Sequence, residues 1–190
     1  MKLIAIAGGI GSGKSVLSRM MVTMGYSVYD TDREARRLMN DNQSLRERLV
    51  SVFGSEVFRP DGTVNRPKLA SLVFCNEEAL KRLNAIVHPA VAADLTLWAQ
   101  AIQAQVAFVE TALINTGGIR SLVQGVWMVE APVPLRCSRV MARNGLSQAD
   151  VLQRISRQVA DERPSAHDVC IVNDDCHALL PQVVQALSQL

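Results

Sequence analysis

Short runs of consecutive apolar residues recur along the chain, and they predict buried β-strands. The runs cover residues 3–7, 27–29, 106–109, 126–129 and 169–172. Because apolarity in them is continuous rather than alternating, we expect parallel strands covered on both faces. Segments with helical periodicity lie between and after these runs, at residues 15–24, 90–104, 132–143, 147–159 and 176–187. Strands and helices alternate, which predicts an α/β fold of three layers around a parallel five-stranded sheet.

Two segments stand apart from this alternation. The connection from Tyr29 to Val106 is far longer than a simple crossover, and it carries its own helical patterns. Those patterns lie at residues 45–53, 67–74 and 77–87. We expect one unit over residues 1–190, in which residues 33–88 form a helical substrate-binding lobe. Residues 136–163 hold six arginines, and they suit either a solvated surface or a mobile cover over an anionic ligand.

Composition narrows the possible partners. The net charge is +2 and charged residues make up 20% of the chain, so nucleic acid is not an expected partner. No stretch approaches the length of a membrane span, and the N-terminus lacks the pattern of a signal peptide. The four cysteines lie mostly in apolar surroundings, which predicts buried thiols in a reducing, cytoplasmic compartment. Cys170, Cys176 and His177 match no common zinc spacing.

Residues 8–15 read GGIGSGKS and fit the phosphate-loop pattern G-x-x-x-x-G-K-[ST]. The motif follows a predicted strand and opens a predicted helix, which is the position in which this pattern binds phosphate. Its glycines allow successive N–H groups to turn toward phosphate oxygens, and the helix N-terminus adds free donors and a positive dipole end. Lys14 is then expected to neutralise the β and γ phosphates of ATP, while the Ser15 hydroxyl ligates Mg²⁺.

A pair of aspartates follows the second predicted strand. Asp30 and Asp32 are two residues apart, so in an extended segment both point to one side of the chain. In open parallel sheets ligands bind beyond the carboxyl ends of the strands. We therefore expect Asp32 to be the base that receives the proton of an acceptor hydroxyl. Asp30 is then expected to contact metal-bound water. The alternative is structural, since Thr31 and Glu34 also fit a helix capping box.

With the loop and the Asp-Thr-Asp segment in place, the sequence resembles the dephospho-coenzyme A kinase family over almost its whole length. Further matching segments follow in the same order: DGTVNR at 61–66, LNAIVHP at 83–89, Arg139 with MARNGL at 141–146, Arg154-Ile155 with Gln158, and Asn173. The resemblance implies a P-loop kinase fold with a helical coenzyme A lobe and an arginine-bearing lid at residues 136–163. It also implies ATP-dependent phosphorylation of dephospho-coenzyme A, in a monomer or weak homo-oligomer.

The resemblance implies a set of site residues. Catalysis is expected from Lys14, Asp32, Arg139 and Arg143, and contact with the coenzyme A precursor from Asp32, Arg66 and His88. ATP is expected to bind at Gly9, Gly11, Ser12, Gly13, Lys14, Ser15, Val16, Arg139 and Asn173, the last of these near adenine. His88 precedes Pro89 at an expected helix start, so capping or packing is its alternative role. Arg66 has the alternative of a surface charge.

Two departures from the family pattern bear on the site. A carboxylate that usually follows the third strand is replaced by Thr116, and Glu110 is then either its substitute or a sign that it is dispensable. Asn144 replaces a lid aspartate. Two rival functions remain at this stage: another P-loop kinase acting on a nucleoside monophosphate or small metabolite, and a nucleotide-dependent switch without kinase chemistry. No Asn-Lys-x-Asp segment supports a guanine-reading switch.

Overall fold

The computed structural model describes residues 1–73, 76–159 and 163–190. Five parallel strands form one sheet in the order β2-β3-β1-β4-β5. Their bounds are β1 Lys2–Ala7, β2 Val28–Asp30, β3 Val106–Glu110, β4 Gly125–Glu130 and β5 Val169–Val172. The predicted α/β fold and its five strands are confirmed. The apolar runs mark the strands well because β1, β3 and β4 are central and almost wholly buried.

Two compact units make up the chain, and each has its own packing. Residues 1–30 with 99–190 form the first unit, which contains the whole sheet. Its helices are α1 Lys14–Thr23, α6 Val133–Asn144, α7 Gln148–Arg157 and α8 Leu179–Leu187. Its main core joins strand side chains to helix side chains, including Phe108, Trp127, Leu17 and Val183. A smaller core, made of Cys137, Val140, Val151 and Ile155, packs α6 against α7.

The second unit, Thr31–Trp98, is helical. Its helices are α2 Thr31–Asp41, α3 Gln43–Phe53, α4 Arg66–Val73 and α5 Glu77–Ala101, the last of which runs on past the unit. A short 3₁₀ turn at Ser55–Val57 and a bridge between Phe58 and Val64 connect α3 to α4. We call this unit the helical lobe. Part of the predicted helix at 67–74 lies outside the described residues, because Phe74 is not among them.

One long helix replaces the two helices expected at 77–87 and 90–104. Pro89 suggested a boundary between two helices, because proline lacks a backbone N–H donor and clashes with the preceding helical turn. The structure places Pro89 inside α5. Val87, Val91 and Leu95 are buried at helical spacing on both sides of the proline, and this continuous apolar face favours an uninterrupted helix. The expected helix start at His88 is therefore wrong.

The C-terminal helix begins at Leu179 rather than at residue 176. Asp174 accepts hydrogen bonds from the backbone N–H groups of Cys176 and His177, at 3.0 and 2.9 Å. These bonds, together with the His177 ring, lower the pKa of the Asp174 carboxyl to about 2. The Asp174 side chain thus keeps residues 174–177 in a turn before the helix. Short acidic side chains often stabilise such turns, because they accept backbone hydrogen bonds in place of those of a helix.

Candidate active site

The phosphate loop lies between β1 and α1, as its motif predicts, and neighbouring segments leave little space at its glycines. Gly13 has a φ of 104°, a left-handed conformation that residues with a Cβ rarely adopt. A Cβ at Gly13 would lie 1.9 Å from Asn173 Nδ2, and one at Gly11 would lie 2.7 Å from the Arg136 carbonyl oxygen. Glycine is required at both positions because the loop is pressed against the segments that follow β4 and β5.

Donors at the mouth of the loop suit an anion. No side chain caps α1, and its first turn contains no acidic residue. The positive end of the α1 dipole therefore favours negative charge at the loop. Lys14 Nζ arches back over the loop and donates to the Gly9 carbonyl at 3.0 Å. Ser12 is 1% exposed, and its hydroxyl oxygen has no hydrogen-bond partner among the described residues. This is the donor set that a polyphosphate requires.

Asn173 and Arg139 tie the loop to the rest of the first unit. The Asn173 amide donates to the Ser12 carbonyl at 2.7 Å, so this residue supports the loop directly. Arg139 Nη1 donates to the Asn173 carbonyl at 3.1 Å and to the Gly11 carbonyl at 3.4 Å, and its Nη2 pairs with Asp175 at 2.5 Å. Arg143 lies one turn further along α6, where its Nε donates to Asn144 Oδ1 at 2.8 Å. The residues expected to bind ATP thus lie in one unit: Gly9, Gly11, Ser12, Gly13, Lys14, Ser15, Val16, Arg139 and Asn173.

Two carboxylates end neighbouring strands at the carboxyl edge of the sheet. Asp30 and Glu110 are register partners, and Glu110 is also in register with Ile6 of β1, close to the start of the loop. Together with the Ser15 hydroxyl, which lies exposed in the first turn of α1, they supply the oxygen ligands that Mg²⁺ prefers. The donor types fit magnesium. The described residues contain no compact group of three or more His, Cys, Asp or Glu side chains.

Asp32 does not lie in an extended segment, contrary to expectation. It is exposed in the first turn of α2, which begins directly after β2. A negatively charged aspartate in that position also interacts favourably with the positive end of the helix dipole. Further along α2, Arg37 pairs with Glu34 at 2.5 Å and with Asp94 of α5 at 2.8 Å. Burial favours protonation of Glu34, but hydrogen bonds from Arg37 and Arg33 outweigh it and lower the pKa of that carboxyl.

Arg66 begins α4 at the end of a well-ordered turn in the helical lobe. Asn65 Oδ1 accepts from the Lys68 N–H at 3.3 Å and caps the helix. Before it, Arg46 donates to the carbonyls of Asn40 and Gly62 at 2.7 and 2.6 Å and stacks over the Phe58 ring. The turn exposes Arg66 to solvent. His88 is half-buried in the middle of α5, within the same unit.

The chain is similar over nearly its whole length to proteins of one family. A protein-family model described as dephospho-CoA kinase matches residues 2–178. A dephospho-CoA kinase from Porphyromonas gingivalis is 35% identical over 186 residues, covering 97% of this chain and 92% of that protein. The chain belongs to the dephospho-coenzyme A kinase family. Family membership shown over this length confirms the resemblance seen in the sequence.

Solved structures support the same fold. A protein from Thermus thermophilus is 34% identical, covers 99% of this chain and 95% of its own, and superposes with a TM-score of 0.80. A dephospho-CoA kinase from Campylobacter jejuni shares the fold at 24% identity, with a TM-score of 0.72 and coverage of 100% and 97%. The P-loop kinase architecture is therefore confirmed for this family member.

Several side chains of this dephospho-CoA kinase family member differ from expectation. Cys137 is buried as predicted, but Cys170 and Cys176 are exposed, and Cys75 lies outside the described residues. Cys170 lies on β5, an edge strand of the sheet. Although the residue is exposed, partial desolvation of its thiol, together with the adjacent Glu130 carboxylate, raises the pKa of Cys170 to about 11. A thiol with a raised pKa is a poor nucleophile at neutral pH.

Two residues of this dephospho-CoA kinase family member support the phosphate loop in a way that the sequence did not indicate, although Gln158 belongs to a segment that carries the family resemblance. Arg136 is 5% exposed, and its Nε donates to the Ile10 carbonyl at 2.9 Å, so it is neither a solvated charge nor a surface cover. Gln158 Oε1 accepts from the Ile10 N–H at 2.8 Å. These partners are separated by 126 and 148 positions, and no local pattern could have paired them.

Proposed function

We propose that the protein transfers the γ-phosphoryl group of ATP to the 3′-hydroxyl of dephospho-coenzyme A, giving coenzyme A and ADP. This is the last step of coenzyme A synthesis. The observation that carries the proposal is a complete phosphate loop, supported by buried contacts, in a chain that matches the dephospho-CoA kinase family over residues 2–178. The reaction needs positioning and charge neutralisation more than covalent chemistry by the enzyme.

The phosphate loop holds the transferred group. Loop N–H groups and the N-terminus of α1 bind phosphate oxygens of ATP. Lys14 moves from the Gly9 carbonyl, which it contacts at 3.0 Å, to the β and γ phosphates, whose charge is the stronger acceptor. The Ser12 hydroxyl, buried and without a protein partner in the described chain, donates to the same polyphosphate. Val16 and Asn173 border the nucleotide, with Asn173 toward adenine.

Magnesium would be held by the Ser15 hydroxyl, with Asp30 and Glu110 as further oxygen donors. It would supply charge neutralisation to the polyphosphate. In this assignment Glu110 replaces the family carboxylate that is absent at Thr116. Its register beside Ile6 at the base of the loop supports that role.

The acceptor side belongs to the helical lobe. Asp32 takes the proton of the 3′-hydroxyl as that oxygen attacks the γ-phosphorus, and the bond to the ADP oxygen breaks. Arg66 and His88 bind the phosphates of the coenzyme A precursor. The exposed position of Arg66 at the start of α4, after a hydrogen-bonded turn, supports its role, because an arginine there is able to meet an anion from solution.

Arg139 and Arg143 offset the charge that develops during transfer. They share one face of α6, and Arg139 already lies beside the loop carbonyl of Gly11. The lid expected at residues 136–163, of which 160–162 lie outside the described residues, closes over ATP in this proposal, with Asn144 as a hydrogen-bonding substitute for the usual aspartate. Asp175 holds Arg139 at 2.5 Å before the nucleotide engages it.

The proposal places the enzyme in the cytoplasm as a monomer or weak homo-oligomer that binds neither nucleic acid nor membrane. Three described cysteines carry free thiols, which suits a reducing compartment. No helix in the described ranges is long and apolar enough to cross a membrane.

Acceptor-dependent release of ADP tests the function. ATP and Mg²⁺ are supplied with dephospho-coenzyme A, with adenosine monophosphate or with shikimate, and ADP is followed by a coupled assay. We expect ADP with dephospho-coenzyme A alone. Release with another acceptor would retain a P-loop kinase and reject this substrate, whereas release without any acceptor would indicate a nucleotide switch.

A further inference from the structure

Ile10, at the apex of the phosphate loop, is held by three contacts from one side of the first unit. Its N–H donates to Gln158 Oε1 at 2.8 Å, and its carbonyl accepts from Arg136 Nε at 2.9 Å. Its side chain packs against the small core between α6 and α7. Both polar groups and the side chain of a single loop residue are therefore bound by the α6–α7 pair.

These contacts fix the direction of the loop peptides. A loop residue whose N–H and carbonyl both have partners cannot rotate its flanking peptide planes without breaking a hydrogen bond. The peptide plane of the Ile10 carbonyl also carries the Gly11 N–H, which faces the phosphate position in the proposed mechanism. Donors aimed in advance at developing charge contribute most when they do not need to reorient.

Arg136 and Gln158 contact the loop through Ile10, whereas Arg139 donates to the Gly11 carbonyl. Arg136 belongs to α6 and is 5% exposed, so it supports the loop from the protein interior. Gln158 closes the C-terminus of α7, where its own N–H bonds to the Ile155 carbonyl at 3.0 Å. Ile155 belongs to the same core that receives the Ile10 side chain. The amide of Gln158 is thus positioned by the core that holds its partner.

We propose that Arg136 and Gln158 are positioning residues that orient the phosphate loop through Ile10. Neither touches the transferred phosphoryl group in this account. A consequence concerns the segment expected to be a lid: its α6–α7 portion is bonded to the loop apex, so movement of these helices also moves the phosphate loop. The inference rests on the proposed kinase function for its kinetic readout, but not for its structural one.

Gln158→Leu is the first test, because it removes the acceptor with little change in volume. Gln158→Glu retains an oxygen acceptor at the same reach, and Gln153→Leu changes an exposed glutamine of α7 as a matched control. We expect Gln158→Leu to lower kcat roughly 10-fold or more, with the KM for dephospho-coenzyme A unchanged. Gln158→Glu recovers most of that loss, and Gln153→Leu behaves as wild type.

A second measurement is independent of the acceptor. Hydrogen exchange at the Ile10 amide, followed by NMR without nucleotide, reports its bond to Gln158 directly. We expect faster exchange in Gln158→Leu, near-normal exchange in Gln158→Glu, and a thermal midpoint close to wild type in both. Arg136→Met leaves the Ile10 N–H bond in place and is expected to weaken ATP binding, measured by calorimetry, even if dephospho-coenzyme A is not the acceptor.

Two results would overturn the inference. Unchanged Ile10 exchange in Gln158→Leu would show that the bond does not hold the loop in solution. Faster exchange with normal kcat and normal ATP affinity would show that the orientation of Ile10 does not matter to the reaction. If wild type itself failed to phosphorylate dephospho-coenzyme A while exchange and ATP affinity responded as expected, the proposed function would fall and the positioning role would stand.

Discussion

The polar contacts within the phosphate-loop region differ in kind from those within the helical lobe. Around the loop, bonds come from side chains that are nearly inaccessible, such as Arg136 at 5% and Asn173 at 9% exposure. In the lobe, several ion pairs lie on the surface, as in Lys81 with Glu77, whose side chains are 67% and 83% exposed. The Arg37 pair with Asp94, at 47% and 23%, is intermediate.

This contrast follows from what each region must do. Phosphoryl transfer needs donors fixed to within a fraction of an ångström, and buried bonds provide that because water does not compete for them. Exposed ion pairs contribute little to stability and are screened by salt. We therefore expect substitutions at the phosphate loop to change catalysis strongly, and substitutions at the surface ion pairs of the lobe to change stability only slightly.

Asp32→Asn separates the two regions most sharply. The lobe provides the base in our mechanism, so the substitution should lower kcat by about 10³-fold. ATP affinity should remain within about 2-fold of wild type, because the phosphate loop is untouched. Asp41→Asn, at an exposed position at the end of the same helix, is the control. Turnover that survives in Asp32→Asn would remove Asp32 from the role of base.

Gly13→Ala probes the loop itself. The new Cβ would lie 1.9 Å from Asn173 Nδ2 at a φ of 104°, so either the loop or Asn173 must move. We expect kcat/KM for ATP to fall about 10²-fold. Gly25→Ala is a matched control, since Gly25 also has a positive φ, of 90°, but a Cβ there meets nothing within 4 Å. Equal losses in both variants would attribute the effect to backbone strain and not to the loop contact.

Asp168→Asn tests a partly buried ion pair outside the site, in which the Asp168 side chain is 3% exposed and that of Arg120 is 34% exposed. Arg120 donates to both Asp168 oxygens at 2.9 and 2.7 Å, and Ser165 adds two more bonds. Burial opposes ionisation, but these bonds lower the pKa of Asp168 overall. We expect the substitution to reduce the free energy of unfolding by about 2 kcal/mol at pH 7, measured by urea denaturation.

The pH dependence of that loss has a definite sign. Because the folded pKa of Asp168 is lowered, its stabilisation is complete above the unfolded pKa of about 3.9 and disappears as pH falls through the lower folded value. The difference between Asp168→Asn and wild type should therefore shrink from pH 5 toward pH 2. A difference that stayed constant across this range would contradict the assignment.

Lys81→Gln should have the smallest effect. Its i,i+4 pair with Glu77 is on the surface at 3.1 Å, and we expect a change in thermal midpoint below about 2 °C. Added salt should reduce the difference further. A larger, salt-insensitive shift would show that ion pairs of the lobe contribute more than the comparison implies.

Much of the first unit could be predicted because its signals are local. Continuous apolar runs marked the strands, and the GGIGSGKS segment marked the loop and the start of α1. The helical lobe was harder, because Pro89 indicated a boundary that burial of Val87, Val91 and Leu95 overrides. Asp32 was placed in an extended segment although Thr31 and Glu34 already suggested a helix start.

Contacts between distant residues could not be predicted at all. The carbonyl and N–H of Ile10 find partners more than a hundred positions away, in α6 and at the end of α7. Arg136 looked like one of six arginines in a charged segment, and only burial distinguishes it. The roles of Arg66 and His88 in the reaction remain predictions from family resemblance, and that of Asp32 remains a prediction from the resemblance and from its place after the second strand.

Product analysis tests the central claim most directly. Wild-type protein is incubated with ATP, Mg²⁺ and dephospho-coenzyme A, and the product is examined by mass spectrometry and ³¹P NMR. We predict the mass of one added phosphoryl group, located on the ribose 3′-oxygen, with one ADP formed for each product molecule. An unmodified acceptor, or a phosphoryl group at another position, would contradict the account.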